Sequence, residues 1–156
     1  MGRRTGAVLV SLLLLLMLAV SASAAAVKMT VGVRFWRESG DKESMADSAV
    51  DTTREATLTR QPNGTFTLEL PVKQLSSMNM TGRLTGIAIG EVNYDGTLSG
   101  DLSDGTAVLT IKNLPASVLT GSDSNKALAV TCSIKMDTIL LGDISTSAKM
   151  SIWVER

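Results

Sequence analysis

Residues 27–36 read Val-Lys-Met-Thr-Val-Gly-Val-Arg-Phe-Trp, and this stretch decides the fold class. Apolar side chains stand at every second position from Val27 to Phe35, and mostly polar or small residues lie between them. Because successive side chains of a strand point to opposite faces, this alternation predicts a strand with one buried side. The folded part of the chain therefore begins with a β-strand.

The same alternation recurs downstream. Asn63-Gly64 separates two alternating segments, 56–59 and 65–72, and this dipeptide is typical of a hairpin turn. Later inward rows fall in 128–136 and 148–154. About seven to nine short strands, with turns roughly every 8–12 residues, predict an all-β fold, an antiparallel β-sandwich.

The first 24 residues have the pattern of a secretory signal peptide. Arg3 and Arg4 precede an apolar stretch at 7–20, and small residues follow at 21–26. The apolar stretch is shorter than the roughly 20 residues that span a bilayer. We therefore expect cleavage after Ala24 and export of a single domain, residues 25–156. That domain is expected to have no membrane span.

Charge and residue counts exclude several classes of function. The predicted domain holds 13 Lys and Arg against 15 Asp and Glu, a net charge of −2, which disfavours a nucleic-acid partner. The chain has no His and a single Cys, Cys132. A Ser-His-Asp triad, a Cys-His pair and a His/Cys zinc site therefore cannot form from this chain. We expect a protein that is not an enzyme.

Methionine is the unusual residue, since six remain after the predicted cleavage while the whole chain has five aromatic residues. Met136 and Met150 fall on predicted inward rows, where filling the core explains them. Met45 falls in a connection, in the predicted short helical turn Ser44–Asp47, where an apolar side chain needs another explanation. The thioether sulphur is also a soft ligand that suits haem iron or Cu(I).

The order of segments resembles a NEAT domain, the near-transporter module of bacterial haem-uptake proteins. The most specific piece is Glu43-Ser44-Met45-Ala46, which is similar to the short lip helix of that family. The resemblance covers most of residues 27–155 and implies an immunoglobulin-like sandwich. It departs from the family at the last hairpin, near 143–148, where the usual Tyr-x-x-x-Tyr pair is missing. Tyr94 is the one tyrosine of the chain.

The resemblance implies haem as cofactor and a set of site residues. In the absence of the tyrosines, Met45 on the lip would pair with Met136 or Met150, and Met45 and Met150 are the predicted metal ligands. Ser44 would hydrogen-bond a haem propionate. The further propionate partners that the resemblance suggests are Arg34, Lys135 and Lys149.

Two functions follow from this pattern and stay open at the level of sequence. The first is an exported binding protein without catalysis, secreted or at the cell surface, which captures or relays haem or a related porphyrin in iron uptake. The second is a structural or protein-interaction sandwich of the same ancestry that has lost haem binding and contacts other cell-surface proteins.

Overall fold

The computed structural model describes residues 25–77, 79–138, 140 and 142–156. The predicted signal peptide, residues 1–24, lies outside the described residues. Within the described ranges, no helix has the length and apolar character needed to cross a membrane.

Strands dominate the described part of the chain, and helical structure in it is limited to short 3₁₀ turns. The nine strands described are β1 (Val27–Arg37), β2 (Ala56–Arg60), β3 (Phe66–Pro71), β4 (Leu75–Ser77), β5 (Met80–Ile89), β6 (Val92–Ser99), β7 (Val108–Leu114), β8 (Leu128–Met136) and β9 (Asp143–Val154). The 3₁₀ helices described are η1 (Met45–Ala49), η2 (Ala116–Val118) and η3 (Ser124–Lys126). The all-β prediction is confirmed.

All nine strands belong to one sheet, in the order β4-β5-β6-β7-β3-β2-β1-β9-β8, and β5 also pairs with β8. The β5–β8 pairing closes eight strands into a barrel, and β4 is added beside β5. Strand β5 permits this closure because β8 runs along one of its edges, while β4 and then β6 occupy the other. The described ladder is therefore continuous, and the predicted division into two sheets does not appear in it.

The β2–β3 hairpin turns at Asn63-Gly64, as the sequence predicts. Gly64 has a φ of +84°, a conformation that glycine adopts without steric cost, and its N–H donates to the Gln61 carbonyl at 3.0 Å. The Asn63 side chain accepts from the Thr65 N–H at 3.0 Å. The sequence alone therefore specifies this turn.

The inward rows of the strands fill the barrel with one continuous core. Phe35, Leu58, Leu68 and Ile134 are among its fully buried members. Each such side chain stabilises the fold by about 1.5–3 kcal/mol relative to an exposed one. Cys132 is also fully buried, and burial raises the pKa of its thiol to about 12. The inward placement predicted for this cysteine is confirmed, and its thiol is unreactive at neutral pH.

Strand β1 changes its partners halfway along its length. It pairs with β2 from Val27 to Val31 and with β9 from Val31 to Arg37. Because β2 begins at Ala56, opposite Val31, the β2-side edge of β1 has no strand partner beyond that point. This open edge receives the 3₁₀ helix η1 and positions the candidate site.

Candidate functional site at the lip

The lip is the 3₁₀ helix η1 together with its N-cap residue, Ser44. The Ser44 hydroxyl accepts from the Ala46 N–H at 3.3 Å, and the Asp47 N–H donates to the Ser44 carbonyl at 3.0 Å. Serine is a preferred N-cap because its side chain satisfies an N–H that has no partner within the helix. The predicted helical turn Ser44–Asp47 is confirmed, and the cap explains why it starts there.

Two hydrogen bonds to Phe35 fix the lip on the open edge of β1. The Ser44 N–H donates to the Phe35 carbonyl at 2.9 Å, and the Phe35 N–H donates to Oδ1 of Asp47 at 2.8 Å. The carboxylate therefore takes the place of the missing strand partner. Since Ser44 and Asp47 lie on either side of Met45 in sequence, this pair of bonds sets where Met45 stands.

Burial raises the pKa of Asp47 above its ordinary value of 3.8, because the charged form loses water. The hydrogen bond from Phe35 and the positive charges of Arg34 and Lys73 act in the opposite direction, and the charge of Glu43 adds to the rise. Asp47 is thus a buried carboxylate whose protonation is coupled to the attachment of the lip.

A groove of about 540 Å³ runs between the lip, β1 and β4, and we call it the lip groove. Ser44, Met45 and Asp47 form its lip side. Three cationic residues also line it, Arg34, Arg37 and Lys73. Its volume lies within the range of small-molecule sites, about 300–1,000 Å³. Glu43 lines it as well, so with Asp47 the groove holds two carboxylates against three cations, and a ligand with carboxylate groups would meet a small excess of positive charge beside an apolar thioether.

The structure brings two of the four predicted site residues together. Ser44 and Met45 are adjacent on the lip groove, and Met45 is half-buried against the core. Ser44 is buried, and its hydroxyl already accepts the Ala46 N–H. Met136 and Met150 do not line this groove.

Met136 and Met150 are core residues. Met150 is fully buried and pairs with Phe35 on one side and Leu128 on the other. Met136 is 5% exposed, and its sulphur lies against Gly82 of β5, where an added Cβ would come within 2.9 Å. A Met45–Met150 pair around one metal ion is therefore not an arrangement that this structure presents.

The three predicted propionate partners lie in different places. Arg34 lines the lip groove and forms an ion pair with Glu43, with the Nη1–Oε1 distance at 3.2 Å. Lys149 donates from Nζ to the Gly40 carbonyl at 3.0 Å. Lys135 is exposed on β8, opposite Asp143 of β9. Arg34 is the one of the three that borders the groove.

Asp47, Arg37 and Lys73 are groove residues that the sequence reasoning missed. The spacing Ser44-x-x-Asp47 is a capping signal that could have drawn attention to Asp47. Nothing in the local sequence marks Lys73, because it reaches the groove through the path of the chain between β3 and β4.

The predicted last hairpin, near 143–148, forms the first part of β9. Ile144 lies opposite Ile134 of β8, and Tyr94 lies on β6, which pairs with β5 and β7. Among the described residues, no group of three or more His, Cys, Asp or Glu side chains is arranged to hold a metal ion.

No protein-family model and no curated protein sequence matches the chain. Solved structures do share its fold. The NEAT5 domain of IsdX2, a B. anthracis hemophore in complex with heme, matches with a TM-score of 0.53 and 12% identity, over 85% of this chain and 99% of that domain. A point mutant of the same IsdX2 domain, also in complex with heme, matches with the same TM-score and identity, over 85% of this chain and 98% of its own length. The chain therefore has the fold of a NEAT domain.

Proposed function

We propose that this protein is an exported binding protein without catalysis, and that it holds haem or a related porphyrin at the lip groove. The observation that carries the proposal is the lip itself, which presents Met45 beside three cationic side chains on a NEAT-type fold. The solved neighbours are bound to heme. Iron uptake is the physiological role that this assignment implies.

The cations of the groove suit the propionate groups of haem. Lys73 is exposed, and the Arg37 guanidinium donates from Nε to the Glu43 carbonyl at 3.3 Å. Charge-assisted hydrogen bonds to a carboxylate are roughly twice as strong as neutral ones. These side chains would bind the polar edge of the porphyrin and leave its ring to the lip.

Met45 is the residue that we assign to the iron side of the ligand. It is half-buried and lines the lip groove, so it borders the groove without any change to the core. Ligation by Met136 or Met150 would instead require emptying a core site, at a cost of about 2–5 kcal/mol. The proposal therefore keeps Met45 as metal ligand and leaves Met150 in the core.

A haemin titration followed by absorbance tests the proposal. We expect a saturable Soret shift that Met45→Ala weakens and changes in position, because the thioether that would hold the iron is lost. Met29→Ala is the matched control, since Met29 is also half-buried but lies on β1 opposite Leu58. The absence of a saturable shift in the wild-type protein would disprove haem binding.

A second candidate function is a structural or protein-interaction module that has lost haem binding. The observation that favours it is the polar lining of the groove, together with the burial of Met136 and Met150 in the core. Its ligand would be another cell-surface protein. Capture of such a partner that Lys73→Glu abolishes, with no haemin response in the wild type, would decide for this function.

A further inference from the structure

A second groove, of about 270 Å³, lies along the edge of β1 where its pairing with β2 ends, beside residues 50–56, and we call it the tryptophan groove. Gly32 pairs with Trp153 of β9. Glu55 comes directly before Ala56, the β2 residue that pairs with Val31 of β1. Glu155 donates its N–H to the Thr30 carbonyl at 3.0 Å. Glu155 therefore lies beside Thr30, which is two residues before Gly32 on β1. Gly32, Trp153, Glu55 and Glu155 all line this groove.

The Trp153 indole lies directly over Gly32. A Cβ on Gly32 would overlap two carbon atoms and the nitrogen of the indole. The glycine therefore lets the ring pack on the backbone, which holds it in one orientation. Trp153 is half-buried, so part of the ring remains exposed to a ligand in the groove.

The cations near the tryptophan groove already have partners. Arg54 donates from Nε to Oδ2 of Asp51 at 2.9 Å and also bonds the Ala107 carbonyl. Arg34 forms its ion pair with Glu43. Glu55 and Glu155, in contrast, are exposed and form no ion pair within the described part of the chain. The groove is left with an aromatic wall and uncompensated negative charge.

We propose that the tryptophan groove binds an organic ammonium ion, with the cation against the Trp153 ring and Glu55 and Glu155 beside it. The face of an indole attracts a cation through its quadrupole, and tryptophan is the strongest of the aromatic residues in this role. A groove of this size suits an ammonium head group and is small for a drug-sized ligand. This site adjoins the lip groove, with which it shares Arg34, Val50 and Thr52, but its proposed binding residues differ from those proposed for haem.

Trp36 supplies an internal comparison on the same face of the sheet. Its indole N–H donates to the Ser151 hydroxyl at 2.9 Å, and the Arg34 guanidinium carbon lies 5.5 Å from its ring centroid. A cation of the protein itself therefore already lies over the Trp36 ring. Among the two tryptophans, Trp153 is the one available to a cationic ligand.

The test is a titration of the purified protein with choline, followed by the NMR signals of the two indole N–H groups. We expect the Trp153 signal to shift with saturation. The uncharged alcohol in which carbon replaces the choline nitrogen should give no saturable shift. Trp153→Leu removes the indole signal, so this variant is followed through the backbone amide signals of the groove, and choline binding should weaken by about 2- to 30-fold, while Trp36→Leu leaves it unchanged. Met45→Ala should also leave it unchanged, since haem is not involved.

A second pair of variants keeps the test decisive if Trp153→Leu does not fold. Glu55→Gln and Glu155→Gln change exposed side chains, and each should weaken choline binding several-fold and reduce its dependence on salt. Methylammonium in place of choline distinguishes a primary amine from a quaternary one within the same site. Equal shifts with choline and with the uncharged alcohol, or no effect of either Glu variant, would overturn the proposal.

Discussion

The backbone N–H of Phe35 donates a 2.8 Å hydrogen bond to the carboxylate of Asp47, which lies 12 residues further along the chain. The carboxylate occupies the place where a neighbouring strand would otherwise continue. Because η1 carries both this acceptor and Met45, the position of Met45 depends on whether the carboxylate holds its bond. The attachment of the lip is therefore a local property that substitution at one residue can test.

Removing the acceptor at Asp47 should loosen the lip, whereas replacing it with a neutral acceptor should not. Asp47→Ala leaves the buried Phe35 N–H without a partner, and we expect a loss of about 1–3 kcal/mol in the free energy of unfolding. Asp47→Asn keeps an oxygen acceptor and removes a buried charge, so it should be at least as stable as the wild type at pH 7. Urea unfolding of both variants checks this, and equal losses would show that the charge, and not the bond, holds the lip.

The raised pKa of Asp47 predicts a pH dependence of stability. Between the unfolded value of 3.8 and the raised folded value, the folded protein binds more protons than the unfolded chain. The contribution of Asp47 to stability therefore falls as pH rises through this window and is most favourable below it. The urea midpoint of the wild type should therefore fall relative to that of Asp47→Asn as pH rises from 3 to 7. A difference that grows towards low pH would contradict the assignment.

Asp51 should show the opposite dependence. Thr53 donates its hydroxyl to Oδ1 at 2.6 Å and Arg54 donates from Nε to Oδ2 at 2.9 Å, and these bonds lower the pKa of Asp51 to about 2. The stabilisation is complete above pH 3.8 and is lost as pH falls towards 2. Asp51→Asn should therefore be less stable than the wild type at pH 7, and the two should converge near pH 2. Parallel urea curves at both pH values would be inconsistent with this.

Gly32→Ala should displace the Trp153 indole. The new Cβ would overlap the ring, and overpacking of this kind costs about 1–3 kcal/mol. We expect a lower urea midpoint and a shifted tryptophan emission. Thr30→Ala is the matched control, since Thr30 lies on the same face of β1 two residues away. An unchanged emission spectrum in Gly32→Ala would mean that the indole does not rest on this backbone.

Features set by neighbours in sequence could be predicted from the sequence. The Asn63-Gly64 turn, the Ser44 cap and the inward rows with Cys132 each depend on a few adjacent residues. The site was predicted in part for the same reason, since Ser44 and Met45 are consecutive. Met136 and Met150 were placed correctly on inward faces, but whether an inward sulphur faces a groove or the core depends on the strands around it.

The sequence by itself determined that this is an all-β chain with a short capped helix after its first strand, because side-chain alternation and capping are local. Only the tertiary structure decided that β5 pairs with β8, that Asp47 completes the open edge of β1, and that Trp153 covers Gly32 beside two glutamates. Each of these joins residues far apart in sequence. Such contacts depend on strand register and on where β2 ends, which no local pattern encodes.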